Sequence, residues 1–172
     1  MYGVMSYLNV DGDLLMVKKS QKKGDPNSGL YTLPGGKLEP EEKGLRSVEG
    51  RLEATIRETK QETGITLVTP KQIGIILFDN EGRIFNNWPN APNYLVYIFS
   101  ATNYRGQLID KGDERETPLW VPEYEIPELP KNPGDTKMYE WIKNSRNLFG
   151  FFGVIRHKGR EIDEENTWVD FF

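Results

Sequence analysis

Two carboxylates, Glu58 and Glu62, stand four residues apart in the run Arg57-Glu58-Thr59-Lys60-Gln61-Glu62-Thr63-Gly64-Ile65, and a Gly-Gly-Lys triplet (Gly35, Gly36, Lys37) lies upstream. On a helix, residues at this spacing share a face, and like charges there cost roughly 0.2–0.5 kcal/mol. Glu62 falls in the last turn, at the negative end of the helix dipole, because Gly64 is placed for the left-handed residue that closes a helix. Acids crowded where helix electrostatics disfavour them point to a site. A divalent cation held between them would turn the penalty into a gain. A merely solvated acidic face has the same spacing, so spacing alone leaves both readings open.

The elements that must position these groups follow from periodicity. At roughly 100° per residue, Leu52, Ile56, Thr59 and Thr63 fall within one arc and form a modest buried stripe. Glu58, Gln61 and Glu62 occupy the neighbouring arc, with Arg57 at its edge. Ahead of this helix, Tyr2 to Asn9 and Asp13 to Lys18 read as strands joined at Asp11-Gly12, a strong hairpin signal. Ser20 to Ser28 is a polar loop, and Leu30 to Leu33 is extended up to Pro34 and the glycines. Further strands are expected at about Gln72–Phe78, Tyr94–Ala101 and Leu119–Val121, with a loop over Asn80–Asn93. Pro122 to Gly134 is proline-rich and expected to be irregular. A second helix is expected from about Thr136 to Lys143, with Asp135 as N-cap. The tail from Phe151 alternates enough for one or two more strands. Strands and helices mixed in this way, over a length that suits a single domain spanning residues 1–172, predict an α/β layer structure.

Composition narrows the chemistry. The chain has no cysteine and a single histidine, His157, read as an ordinary surface or strand residue. Zinc sites draw on several Cys or His ligands, so zinc and cysteine nucleophiles are excluded. Carboxylate oxygen is plentiful, and oxygen sites suit magnesium or manganese. The net charge is −4 with both signs interspersed, so no basic block argues for nucleic acid. No apolar run approaches the ~20 residues that span a bilayer, and no leader pattern opens the chain. The expectation is a cytoplasmic protein with a small-molecule partner and no membrane association. The glycines do not form a Walker loop, because Tyr31 and Leu38 stand where that motif needs Gly and Ser or Thr. Phe78, Phe85, Trp88 and Trp141 are candidates to stack a flat ring.

These residues resemble the Nudix hydrolase superfamily. Its box reads Gly, five residues, Glu, seven residues, then Arg-Glu-U-x-Glu-Glu-x-Gly-U, where U is bulky and aliphatic. Arg57, Glu58, Glu62, Gly64 and Ile65 match in register, with Glu49 eight positions before Arg57. Gly36 lies seven residues further upstream than the box requires, which implies an insertion around Pro40–Ser47; the other register uses Glu42. Gln61 replaces the first acid of the Glu-Glu pair, and Thr59 replaces U. The Gly134-Asp135 dipeptide, Glu140-Trp141 and the closing Trp-Val-Asp-Phe-Phe resemble MutT-like 8-oxo-dGTP diphosphatases.

The resemblance implies an α-β-α sandwich with a mixed β-sheet between helices, monomeric or homodimeric. It implies a Mg2+-dependent pyrophosphohydrolase (Mn2+ as substitute) acting on a nucleoside triphosphate, with an oxidised purine as one possibility. ADP-ribose, a dinucleoside polyphosphate, or regulatory binding of nucleotide with little turnover are the alternatives. Glu58, Glu62 and the Gly35 carbonyl would hold metal. Glu58 or a loop acid would be the general base, with Glu114 the first candidate in the loop, also as a metal ligand, and Glu116 the second. Gln61 would keep one oxygen for a metal or its water. Arg57 would pair with Glu49, Gly36 would allow close backbone approach, and Gly64 would end the helix. Asp135 would bond a purine edge, with Lys37, Thr32, Phe78 and Trp88 as further substrate contacts. Tyr31-Thr32 stands where the animal enzyme has a base-reading Trp-Asn.

Overall fold

Alternation along the first strand sets the layers. In β1 (Tyr2–Val10), Val4, Ser6 and Leu8 turn to one face of the sheet and Met5 and Tyr7 to the other, the period-two pattern of a sheet covered on both sides. The structure is a computed structural model. It describes residues 1–21, 27–39, 48–80, 93–110, 112, 116–159 and 161–172, and only the backbone of residues 48 and 49. Glu42, Phe85, Trp88 and Glu114 lie outside the described residues, as does the Glu49 side chain.

A left-handed turn at Asp11 (φ 53°) and Gly12 (φ 93°) leads into β2 (Asp13–Lys18). There follow β3 (Tyr31–Thr32), β4 (Gly35–Lys37), helix α1 (Val48–Thr63), β5 (Thr66–Val68), β6 (Lys71–Asp79), β7 (Tyr94–Ala101), β8 (Asn103–Arg105) and β9 (Thr117–Pro122). Helix α2 (Pro133–Asn144), β10 (Phe151–Lys158), β11 (Glu161–Ile162) and β12 (Trp168–Phe171) complete the order. The main sheet runs β11-β10-β6-β7-β1-β2-β3, with β12 on β10, β4 on β1 and β9 on β2. It is mixed: β1 with β7 and β6 with β10 are parallel, and the other pairs are antiparallel.

The helices cover opposite faces. Met138, Trp141 and Ile142 of α2 pack on Met16, Ile76, Ile98 and Ile155. Ala54 of α1 packs with Val4, Tyr97 and Phe99 on the other face. The stripe of α1 differs from the expected one. Leu52 and Ile56 are only half-buried, whereas Ala54, Thr55, Thr59 and Thr63 are fully covered. Three threonines can be buried because each hydroxyl donates to the carbonyl four residues back: Thr55 to Arg51 (2.8 Å), Thr59 to Thr55 (2.7 Å) and Thr63 to Thr59 (2.6 Å). Left unpaired, each would cost about 1–3 kcal/mol. Thr59 Oγ1 also bonds Ser6 Oγ at 2.8 Å, which ties the helix that carries Glu58 and Glu62 to the middle of the sheet.

Other expectations are corrected. Asp135 is not the N-cap of α2; Asn132 is, with Pro133 opening the helix and Asp135 inside its first turn. Pro133 supplies a pre-set φ and lacks the N–H that would go unpaired there. The stretch expected to be irregular holds a 3-10 helix, Glu123–Glu128, despite Pro127. β5 and β8 form a small antiparallel ladder of their own, too short for periodicity to reveal. The described residues of the tail form three strands rather than one or two.

Candidate active site

The two glutamates do not simply face each other. Glu58 Oε1 accepts from Arg57 Nη1 at 2.7 Å. Glu62 Oε2 accepts from the Gly35 backbone N–H at 2.8 Å, and its Oε1 lies 3.9 Å from Lys19 Nζ. Each acid thus has its own donor or cation, which offsets the repulsion expected of the pair. Gly64 takes φ 83° and donates its N–H to the Lys60 carbonyl at 2.8 Å, closing α1 directly after these groups.

Glycines bring the backbone up to the acids. β4 pairs with β1, with Gly35 opposite Met5 and Gly36 opposite Val4. A Cβ on Gly36 would fall inside the Glu58 carboxyl group, and one on Gly35 would strike the Val4 carbonyl. Glycine at 35 lets this strand lie against β1, and glycine at 36 leaves room for the Glu58 carboxyl. Arg57 Nη2 donates to the Lys37 carbonyl at 3.3 Å and Nη1 to Gln61 Oε1 at 3.1 Å. Arg57 therefore links α1 to β4, and the amide oxygen of Gln61 is engaged by Arg57 at the exposed side of the helix.

Glu116, at the entry to β9, lies against Glu62 within hydrogen-bonding reach. Lys19 Nζ sits 2.5 Å from Glu116 Oε1. Burial, the largest influence, pushes the Glu62 carboxyl up to about 7; the Gly35 N–H and Lys19 oppose the rise and Glu116 adds to it. Among the described residues no three acidic or histidine side chains are gathered as a ready metal cage. The donors nevertheless suit a hard divalent ion: carboxylate oxygens of Glu58, Glu62 and Glu116 and backbone carbonyls at the glycine strand. A cation, the Lys19 ammonium, already stands between two of these acids.

This electrostatic arrangement makes a pH prediction. A carboxyl whose folded pKa exceeds its unfolded value of 4.5 contributes stability that is complete below that value and lost as the pH rises through about 7. In EDTA, Tm should fall by about 5 °C between pH 5 and 8. Mg2+ should restore it at pH 8 and have little effect at pH 5, and Glu62→Gln should flatten the EDTA profile. Differential scanning fluorimetry checks all three; an EDTA profile of the unsubstituted protein that is already flat contradicts the assignment.

A cavity of about 360 Å³ opens beside the acids. Gly35, Gly36, Phe78, Asn80, Tyr94, Asn132, Asp135 and His157 are among its lining residues. Tyr94 joins it to the acids: burial first, and then the charge of Glu58, raise its phenol pKa. Phe78 stacks on His157, with centroids 6.4 Å apart and planes 19° apart. Asp135 is 7% exposed. Asn132 Nδ2 donates to Asn27 Oδ1 at 3.1 Å, and the Asn80 N–H donates to Asn93 Oδ1 at 2.9 Å. Apolar ring faces and amide edges around such a volume suit a flat heterocycle.

Several expected contacts lie elsewhere. Thr32 is on β3 opposite Val17 and Lys37 on β4 opposite Gly3, and neither is among the residues that line the cavity. Trp141 is no stacking platform: it is buried, and its ring lies where a Cβ on Gly153 would be. Sequence reading did not single out Lys19, Asn27, Asn80, Tyr94 or Asn132, and it dismissed His157. These residues come from segments that only the tertiary structure brings together.

The NUDIX domain family model matches residues 2–142. The uncharacterized Nudix hydrolase YvcI of Bacillus subtilis (strain 168) is 27% identical over 143 residues, covering 82% of this chain and 78% of its own. Among solved structures, a MutT protein from Bacillus halodurans superposes with a TM-score of 0.72 at 23% identity, covering 99% of this chain and 96% of its own. The NUDIX domain of Shewanella oneidensis NrtR, complexed with ADP ribose, superposes with a TM-score of 0.62 at 15% identity, covering 84% and 86%. At these identities the structural likenesses carry the fold, the α/β sandwich with its mixed sheet. Nudix hydrolases generally use divalent metal ions. No helix among the described residues is long and apolar enough to cross a membrane.

Proposed function

We propose, from the premise that this chain belongs to the Nudix family and is a hydrolase acting on pyrophosphate bonds, that its substrate is a nucleoside triphosphate whose base enters the cavity. The observation that carries this reading is the continuity of the cavity with the carboxylates through Gly35, Gly36 and Tyr94. A base seated between the Phe78–His157 wall and Asp135 has its phosphates directed toward Glu58 and Glu62. Magnesium fits the oxygen donors, and when bound it neutralises phosphate charge and acidifies water. Glu58, Glu62, Glu116 and the Gly35 carbonyl would hold it, and manganese would substitute.

The chain's own residues do the rest. A water oxygen bonds to phosphorus, the bridging P–O bond breaks, and the water's proton passes to a carboxylate. Glu58, with Oε1 steered by Arg57, is the candidate base among the described residues, and Glu114 is the candidate outside them. Positioning and electrostatics provide most of the rate. Asp135, buried in the first turn of α2, is aligned with the positive end of that helix and accepts from an N–H on the base edge.

Asp135→Ala should raise KM for the preferred nucleotide by about 10–100-fold with kcat within a few-fold, as expected for a group that binds the base alone. Steady-state kinetics checks it; an unchanged KM contradicts the role. Phosphate and pyrophosphate release across a panel that includes the four dNTPs, 8-oxo-dGTP and ADP-ribose tests the substrate class. A triphosphate should give the highest kcat/KM. The ADP ribose bound by the NrtR domain favours a second reading, in which ADP-ribose leads the panel. Tight nucleotide binding with no release from any compound would instead identify a sensor.

A further inference from the structure

Lys19 bridges two of the acids, Glu62 and Glu116, and the chemistry above does not use it. Its ammonium lies 2.5 Å from Glu116 Oε1 and 3.9 Å from Glu62 Oε1, joining two acids from distant parts of the chain. Its backbone is anchored: the Lys19 N–H donates to the Leu30 carbonyl at 2.8 Å, and its carbonyl accepts from the Gly29 N–H at 3.1 Å. Its side chain is 27% exposed. A flexible four-carbon stem on a fixed base can carry the charge over several ångströms. A divalent ion held by Glu62 and Glu116 and an ammonium in contact with both would compete for the same oxygens.

We propose that Lys19 is an exchangeable counter-cation: it neutralises the Glu62–Glu116 pair in the metal-free protein, is displaced when a divalent ion arrives, and then binds the polyphosphate. This rests on the reading of Glu62 and Glu116 as metal ligands. Displacement sets one positive charge beside another, so Lys19 weakens metal binding in the absence of nucleotide. Phosphates bound at the site offset that repulsion. Metal and nucleotide therefore favour each other's binding, a coupling that is reciprocal by linkage. An acidic chain gains most from such a device, because its own field opposes a polyanion.

The test is isothermal titration of the full-length protein with MgCl2 at pH 8.5, without nucleotide, for wild type, Lys19→Gln and Lys19→Arg. Lys19→Gln should bind Mg2+ about tenfold more tightly, and Lys19→Arg should stay close to wild type. In saturating Mg2+, α,β-imido-ATP should bind Lys19→Gln about tenfold more weakly than wild type. Equal or weaker Mg2+ binding by Lys19→Gln overturns the displacement, and an unchanged analogue affinity overturns the phosphate contact. No Mg2+ uptake by any of the three proteins overturns the ligand assignment itself, and the proposal with it.

Discussion

Glu62→Gln should lower kcat by about 1,000-fold, some 4 kcal/mol of barrier, in a protein that folds as well as the parent. The substitution is isosteric, and the amide oxygen can still accept the Gly35 N–H that Glu62 accepts at 2.8 Å. Strand β4 therefore stays tied to α1. What is lost is the charge and one of the two oxygens, the one free to serve a divalent ion. The change also removes a carboxyl that burial drives toward neutrality, so the metal-free variant should be at least as thermostable as the parent at pH 8. Loss of activity with gain of stability is the pattern expected where local stability is given up for function. Kinetics together with a melting curve read both; a variant within a few-fold of wild-type kcat would show that Glu62 holds nothing the reaction needs.

Gly36→Ala should lower kcat by about 100-fold while leaving Tm within a few degrees. The new methyl would overlap the Glu58 carboxyl, the mobile end of a side chain, which swings aside and loses its contact with Arg57. The neighbouring change gives the opposite phenotype. Gly35→Ala would drive its methyl into the Val4 carbonyl and the Met5 backbone, which belong to a paired strand and cannot yield. It should lower Tm by about 10 °C or abolish soluble expression, in the range of severe backbone strain. Equal effects of the two alanines on Tm would mean that Gly36 serves the backbone alone and not the position of Glu58.

The helix that ends at Gly64, the hairpin at Asp11-Gly12 and the strands near residues 72–78 and 94–101 were legible because each rests on local chemistry. Left-handed glycine, turn geometry and period-two burial act within a few residues. The stripe of α1 was legible at Thr59 and Thr63, which are buried as expected, but Ala54 and Thr55 are covered in place of Leu52 and Ile56, because the covered arc is set by packing on Val4, Tyr97 and Phe99 from other strands. The acids were legible as a pair, but their partners were not. Lys19 reaches Glu62 and Glu116 from the end of β2, and nothing in its local sequence marks it. The cavity was half legible: Phe78 and Asp135 were singled out, whereas Asn27, Asn132 and His157 meet there only because β10 pairs in parallel with β6 and α2 packs across them. The base-stacking role considered for Trp141 failed for the same reason, since its place under Gly153 is set by packing across elements.

The most direct measurement is an anomalous-difference map from a crystal soaked in Mn2+ and a nonhydrolysable nucleoside triphosphate. The strongest peak should lie between the carboxylates of Glu58 and Glu62, within coordination distance of both and of the analogue's phosphates. A map in which those side chains point to solvent and manganese binds elsewhere would contradict the proposed site.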